Sequence, residues 1–439
     1  IIMETPAEYK VLPWPLWRKI IFRFFFVYLI FFQIAPWDWL SFIPGVGTVT
    51  GWYDDLFTWL AKLGNAHFFH IAKVLDTVPN GSGDTSFGWS LLWEGLILSI
   101  IACLIWTAFD WKRVSYTRLN YWLCVFTRYY LVTVAFGYGF QKVFALQMPF
   151  PSLHMLATPL GDLLPMRFSW LFIGFSKPYE IFSGLMEIFA GSLLLFRRTA
   201  TLGAMVATGV FLNVMMLNLC YDIPVKIYSM QLTFVALFLL ANESKRIIDF
   251  FILNKPAAAN SLYQFNFNKK WQRWTRIGLK ALFIIAVLLF PFQDTLNYYR
   301  STQKPSAKQA IKNGVYEVSV YSVNNHVMPL ALSDTSRWQD VIFENGLGSA
   351  KTSDTSFRQR YKRGYFAYYA NDTTHVFTIK KSGADKIPIM RFKYQMPDSN
   401  TITLAGTHGK DSLYVALKRT KRHFQLAEKQ FHWLSERNR

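Results

Sequence analysis

Cysteine, acidic side chains and charge in general are scarce in this 439-residue chain. Cys103, Cys124 and Cys220 all lie in apolar stretches and form no CxxC spacing. That excludes a disulfide framework and reads as small packing residues rather than thiol chemistry. Charged residues make up 17% of the chain, against about 25% in soluble domains, so an ordinary cytosolic enzyme is excluded. The eight histidines do not cluster. His67 and His70 share a helix face at i,i+3 without a third ligand, and His154, His326, His375, His408, His423 and His432 are scattered, so no metal site is expected. There is no P-loop, no dinucleotide-binding GxGxxG in strand context and no Ser-His-Asp signature. NGSGDT (80–85) is Gly-rich but has no Lys after it and no strand before it, and reads as a loop. Residues 20–35 are apolar but aromatic-heavy and lack a small-residue cleavage site, so the first span is expected to stay rather than be removed as a signal peptide.

What the chain has in excess is apolar and aromatic residues, 52% and 18%, with a mean hydropathy of +0.17. The excess is uneven. A bilayer core of about 30 Å needs roughly 20 apolar residues in helix, and seven stretches meet or approach that length: 19–36, 87–109, 119–146, 179–196, 200–219, 226–242 and 276–292. The connections on one side hold 16 Lys and Arg, among them Lys10, Arg18, Lys112, Arg113, Arg197, Arg198 and the run from Lys245 to Lys280; those on the other side hold five. Such an asymmetry predicts a cytoplasmic N-terminus. Seven spans would then put the C-terminal end outside, in the periplasm of a bacterial inner-membrane protein. Two outer connections, 37–86 and 147–170, are long and read as caps over a cavity. The first contains the apolar helical stretch DDLFTWLAKLGNAHFFHIAKVL, suited to an interface.

From about residue 313 the pattern changes to alternation: VYEVSVYSV, RWQDVIFENG, YFAYYAN, HVFTIKK, MRFKYQM, TITLAGT and SLYVALKR, separated by Asn, Asp and Gly turns. This predicts a small antiparallel all-β domain, barrel or sandwich, of about seven strands. The expected fold class is therefore an all-α membrane bundle followed by a soluble β-domain. Its segments are 1–118, 119–242, 243–292 and 293–439. Net charge is +20, of which residues 300–439 carry +12, from 23 basic and 11 acidic side chains. In a polytopic protein that excess suits the bilayer surface or an acidic partner protein in the periplasm or membrane, and no nucleic acid is expected.

Ionisable residues at membrane depth cost several kcal/mol unless paired, which makes each a candidate for function. The clearest are Glu94, Arg128, Lys142 and Glu187. Span directions bring Lys142 to the depth of Glu180 or Glu187, either as a register-fixing ion pair or as a base tuned by a carboxylate. NLCYDIPVKIYS (218–229) is either a tight turn with Asp222 paired to Lys226, or part of an outer vestibule in which Tyr221, Asp222 and Lys226 join Tyr138 and Glu94 around a ligand. Lys142 and Glu187 are then the candidate catalytic pair. A quinone or other isoprenoid lipid would use such donors.

The runs AFGYGFQKVF (135–144), GLMEIFAGSLLLFRRTATLGA (184–204) and NLCYDIPVKIYSMQLTFVALFLL (218–240) resemble the DoxX-like family of bacterial membrane proteins. The shared elements are a Gly-x-x-Lys at the outer end of one span, then a Glu-containing span ending in a Leu-rich run. A basic turn and a Gly-led span follow. Larger proteins of this kind, with a C-terminal soluble domain and an FHW-type tail like Phe431, His432 and Trp433, are typical of Bacteroidota. The wider group includes a thiosulfate:quinone oxidoreductase subunit, so the resemblance implies quinone-linked membrane functions and makes 119–242 a DoxX-like four-helix core. The plan is also similar to the transmembrane half of vitamin K-dependent γ-carboxylases, where a Lys at the position matching Lys142 is the base. Here Gln141 stands where that family has a second Lys, and the later spans lack its His, which argues against carboxylation. Two readings follow. An accessory membrane protein displaying a β-domain to a partner is favoured by the lack of a complete catalytic constellation. A quinone- or lipid-linked oxidoreductase is favoured by the buried charges.

Overall fold

The computed structural model describes residues 13–34, 43–256, 269–303, 310–330, 335–428 and 433–434. Lys10, Phe431 and His432 lie outside the described residues. Two compact units emerge: one of residues up to Met148 together with Lys177–Ser301, the other of Pro149–Ser176 with Thr302–Arg439.

The first unit is helical. Pro15 sets the extended backbone before α1 (Leu16–Val27), which runs on into a π-helical turn at Tyr28–Gln33. After it come α2 (Val46–Gly64), α3 (Ser86–Phe109) and α4 (Thr117–Val143). Thr85 caps α3 by accepting from the Gly88 amide. This helix is apolar on every side, yet Ile97, Ile100, Ile101, Leu104, Ile105 and Phe109 are all exposed. A helix apolar all round belongs in a core or in lipid, and these side chains have no core to enter. Among the described residues four helices are long and apolar enough to cross a membrane: α3, α4, Ala200–Cys220 and Lys270–Thr302. The chain is by that measure a membrane protein.

Inside this unit Arg23 of α1 is fully buried. Its guanidinium donates to Tyr116 Oη (2.9 Å), Thr107 Oγ1 (2.9 Å) and the Asp110 carbonyl (2.7 Å), and Tyr116 donates to Asp110 Oδ2 at 2.8 Å. A lone buried cation would be costly; this one is satisfied on three sides and ties α1 to the α3–α4 turn.

Two short helices of the second unit, α5 (Leu153–Leu156) and α6 (Pro165–Phe175), interrupt the sequence here. The helical unit resumes with α7 (Lys177–Leu194), α8 (Ala200–Cys220), α9 (Lys226–Ala241) and α10 (Ser244–Phe251). It ends with α11 (Lys270–Ile284), a π turn at Ile285–Leu289 and α12 (Phe290–Thr302). Its buried core is aliphatic and aromatic, with Leu123, Leu131, Phe136, Leu194, Phe211 and Val235 at the centre.

The second unit is built on a sheet. Its strands are β1 (Gly314–Val323), β2 (His326–Val327), β3 (Asp340–Glu344), β4 (Leu347–Ala350) and β5 (Arg358–Arg360). They continue with β6 (Arg363–Asn371), β7 (Val376–Lys380), β8 (Met390–Gln395), β9 (Thr401–His408) and β10 (Asp411–Arg419). Eight of them form an antiparallel meander that closes through β10 on β1, while β2 and β5 are short additions. Alternation produces the interior: Met390, Phe392 and Tyr394 of β8 point in while Arg391, Lys393 and Gln395 point out. Closure removes the free edges that an open sheet would expose. The β3–β4 turn is Asn345–Gly346, both at positive φ, as a two-residue turn matched to the strand twist requires.

Strand β3 is buried on both faces. Val341 and Phe343 enter the barrel, and Ile342 lies under Ala157 and Leu153 of the 149–176 insertion. His154, also from the insertion, is buried, with Nδ1 2.9 Å from Ser349 Oγ. Arg363 donates to the same oxygen at 3.0 Å and pairs with Asp340. Glu344 accepts from the Leu153 amide at 3.0 Å. Burial and the Arg363 charge hold the His154 imidazole down at about 4, so it is neutral at pH 7; burial raises the Glu344 carboxyl.

Candidate functional site

The site begins at a helix crossing. A Cβ on Gly184 would lie 2.7 Å from the Gly139 carbonyl oxygen and 2.8 Å from Lys142 Cβ, and one on Gly139 would meet Ile188 at 2.6 Å. Only glycine on both helices lets α4 and α7 approach this closely. The approach brings Lys142 Nζ onto Glu187 Oε1 as a buried ion pair, with 6% and 2% of the two residues exposed. Glu187 Oε2 has no hydrogen-bond partner, nor has Glu180 Oε2, whose other oxygen accepts from the Met148 amide at 2.9 Å. The Lys142 charge serves both carboxylates.

One turn back along α4, the Tyr138 ring lies 5.8 Å from Lys142 Nζ and 6.3 Å from the Tyr228 ring of α9. Tyr228 is hydrogen-bonded to Tyr130, which receives Gln33 Nε2 at 3.5 Å. Gln231 Nε2 donates to Tyr28 at 3.4 Å. Tyr28, Asp54, Thr58, Tyr138, Tyr228 and Gln231 are among the polar side chains that line a cavity of about 650 Å3. Phe32, Phe57, Phe87, Leu91 and Leu92 form its apolar side. Tyr53 of α2 also lines it and lies close enough to Glu94 to feel its charge. Glu94 itself is 6% exposed, and both carboxylate oxygens are buried without a hydrogen-bond partner.

The residues singled out from the sequence thus fall into four places. Lys142 and Glu187 are paired at the crossing, one side chain removed from the cavity. Tyr138 lines the cavity and Glu94 stands beside it. Lys226 and Asp222 pair with each other at 2.7 Å at the α8–α9 turn, where Asp222 is exposed and has a positive φ. Tyr221 ends α8 in the same turn. Arg128 lies elsewhere, at a second cavity.

Sequence reasoning passed over several contributors. Asp84, in the Gly-rich loop, caps α9 by accepting from the Lys226 and Ile227 amides at 2.8 and 3.0 Å, and its carboxylate lies 3.5 Å from Lys226 Nζ. A lone Asp after Ser-Gly carries the signal of a helix cap, but for the helix that follows it in sequence rather than for one 140 residues on. Tyr28, Tyr130, Tyr228, Gln33 and Gln231 carry no charge and were invisible to a search for ionisable groups. Among the described residues no cluster of three His, Cys, Asp or Glu could hold a metal.

No protein-family model matches the chain, and no solved structure matches it. The chain is 39% identical over 83 residues to the uncharacterized protein YwoB of Bacillus subtilis, a stretch covering 19% of this chain and 54% of YwoB. It therefore spans about half the length of that relative.

Proposed function

We propose that this chain is a DoxX-like, seven-span inner-membrane protein whose helical unit holds the head ring of a lipid-soluble isoprenoid of the quinone class. The observation that carries the reading is the cavity: about 650 Å3, lined by apolar side chains and by tyrosine, glutamine, Thr58 and Asp54, with a buried unpartnered carboxylate beside it. Ligand sites commonly occupy about 300–1,000 Å3 and combine an apolar lining with a few convergent polar groups. The hydroxyls of Tyr28 and Tyr138 can donate to ring carbonyl oxygens, and Glu94 can accept from a ring hydroxyl in the reduced form. The Lys142–Glu187 pair sets the potential around Tyr138 rather than touching the ring.

Titration of the full chain in detergent with a short-chain quinone, followed by quenching of tryptophan fluorescence, tests this reading. Saturable binding that weakens about tenfold in Glu94→Gln and in Tyr138→Phe is expected, since each loses one hydrogen bond to the ring. Linear, unsaturable quenching unaltered by either substitution would refute it.

The accessory reading, a β-domain that docks an acidic periplasmic or membrane protein, is supported by a separate observation. In the second unit His154 Nδ1, Ser349, Arg363 and Asp340 are engaged with one another, and Glu344 accepts from the Leu153 amide. The excess of basic side chains over residues 300–439 is what that unit would offer an acidic partner. The two readings are compatible if the partner delivers or accepts electrons.

A further inference from the structure

A second cavity, of about 80 Å3, lies in the helical unit between the first half of α4, the start of α8 and the end of α9. It is ten residues from Tyr138 along α4, about 15 Å, and is independent of the quinone-class reading. Its polar lining is Arg128, Arg197, Thr201, Asn242 and Glu243. The Arg128 Nε is buried and has no hydrogen-bond partner. Beside it, Lys280 Nζ donates to the Leu195 carbonyl at 3.0 Å and lies 4.2 Å from the centre of the Phe196 ring. Lys280 is also close enough to Arg128 and Arg276 to be repelled by both. The acidic residue of the lining, Glu243, is bound to Arg246 at 2.7 Å. Two arginines on a small hollow, one with a buried Nε that has no partner and a lysine beside it, describe a place where an anion can bind.

The geometry also indicates which anion. Guanidinium groups match the paired oxygens of phosphate better than a spherical ion. Thr201 adds a hydroxyl donor, and the lining includes the first turn of α8, whose amide dipoles favour negative charge. Directly after Glu243, α10 carries Lys245, Arg246 and Asp249 on one side and exposed Ile248, Phe250 and Phe251 on the other. That is the pattern of a helix lying in a headgroup layer. We propose that this cavity is a phosphate site, filled by the headgroup of an anionic phospholipid or by free phosphate.

Two arms, both on the full chain in detergent, distinguish the sources. In the first, native mass spectrometry follows retention of phosphatidylglycerol against phosphatidylcholine; in the second, thermal melting is followed in inorganic phosphate against chloride at equal ionic strength. One retained phosphatidylglycerol per chain, at least tenfold over phosphatidylcholine, supports a lipid source. A saturable phosphate-dependent rise in melting temperature without lipid preference supports free phosphate. In whichever arm responds, Arg128→Gln and Arg197→Gln should weaken binding about tenfold. Thr201→Leu, which fills the hollow and keeps both arginines, should do the same even if an arginine variant folds poorly. Lys255→Gln, an exposed charge on the same connection, should not. No preference in either arm, or equal loss in Lys255→Gln, overturns the proposal.

Discussion

At the scale of single residues, the chemistry of the helical unit is set by charges whose neighbours are apolar. The Lys142–Glu187 pair is buried, and removing one partner strands the other; breaking such pairs costs about 3–5 kcal/mol, while replacing both by apolar groups is often neutral. Lys142→Met and Glu187→Leu should therefore each lower the melting temperature in detergent more than the double variant does, and a double variant worse than either single would show that the pair is not coupled. His154 allows a test by pH. Its folded pKa of about 4 lies below the ordinary 6.5, so its contribution to stability is complete above pH 6.5 and is lost as pH falls toward 4. The loss amounts to at most about 3 kcal/mol. Glu344, raised by burial, acts in the opposite sense, taking up its proton more readily in the folded state. Protection factors of residues 149–176, which correct for the slower intrinsic exchange at low pH, should fall between pH 6.5 and 4, and more steeply in Glu344→Gln. Of these residues, Lys142 and Glu187 were legible in the sequence because charges in apolar runs stand out and 1.5 Å per residue fixes their depth. The tyrosines around the cavity were not, since nothing in the spacing of a neutral aromatic residue says whether its hydroxyl meets water, a carbonyl or a ligand.

At the scale of elements, the close α4–α7 crossing places the ion pair, and it rests on two glycines. Gly184→Ala would drive a methyl group into the Gly139 carbonyl and Val143 amide, backbone atoms that cannot rotate away, at a cost of about 1–3 kcal/mol. Gly137→Ala, two residues from Gly139 with nothing within 4 Å of its added carbon, should be neutral or mildly stabilising through helix propensity. Melting temperatures of the two variants decide it, and equal effects would mean that the crossing does not depend on close approach. Strands β1 and β6 to β10 were readable from alternation, since a half-buried strand must present every second side chain to the core, and β3 from its short apolar run. Closure of the sheet was not, because β1 pairs with β10 across about a hundred residues and local pattern contains no record of that partner. The run VIFE in β3, apolar at three successive positions, was the one local sign that both faces of this strand are covered. The sequence of 149–176, proline-rich and apolar, suggested a cap but not that its partner is Ile342 of a strand almost two hundred residues later.

At the scale of the whole molecule, apolar excess and basic excess have separate causes. The first is the surface of helices such as α3, whose exposed isoleucines need lipid; the second divides between connections at one end of the helical unit and the surface of the β-barrel. The proposed topology puts the 243–256 connection inside the cell and the barrel outside. With the native cysteines replaced, a Ser382→Cys variant should react with a membrane-impermeant maleimide on intact spheroplasts and an Asn254→Cys variant only after lysis; the reverse pattern would put the barrel inside the cell and overturn this topology. The central claim concerns the cavity beside Glu94, and the most direct measurement is chromatography and mass spectrometry of the organic extract of gently purified protein. About one isoprenoid ring compound of the quinone class per chain is expected, lost in Leu91→Trp, which fills the apolar side of the cavity. An extract with no more of such a compound than an unrelated helical membrane protein purified alongside would contradict it.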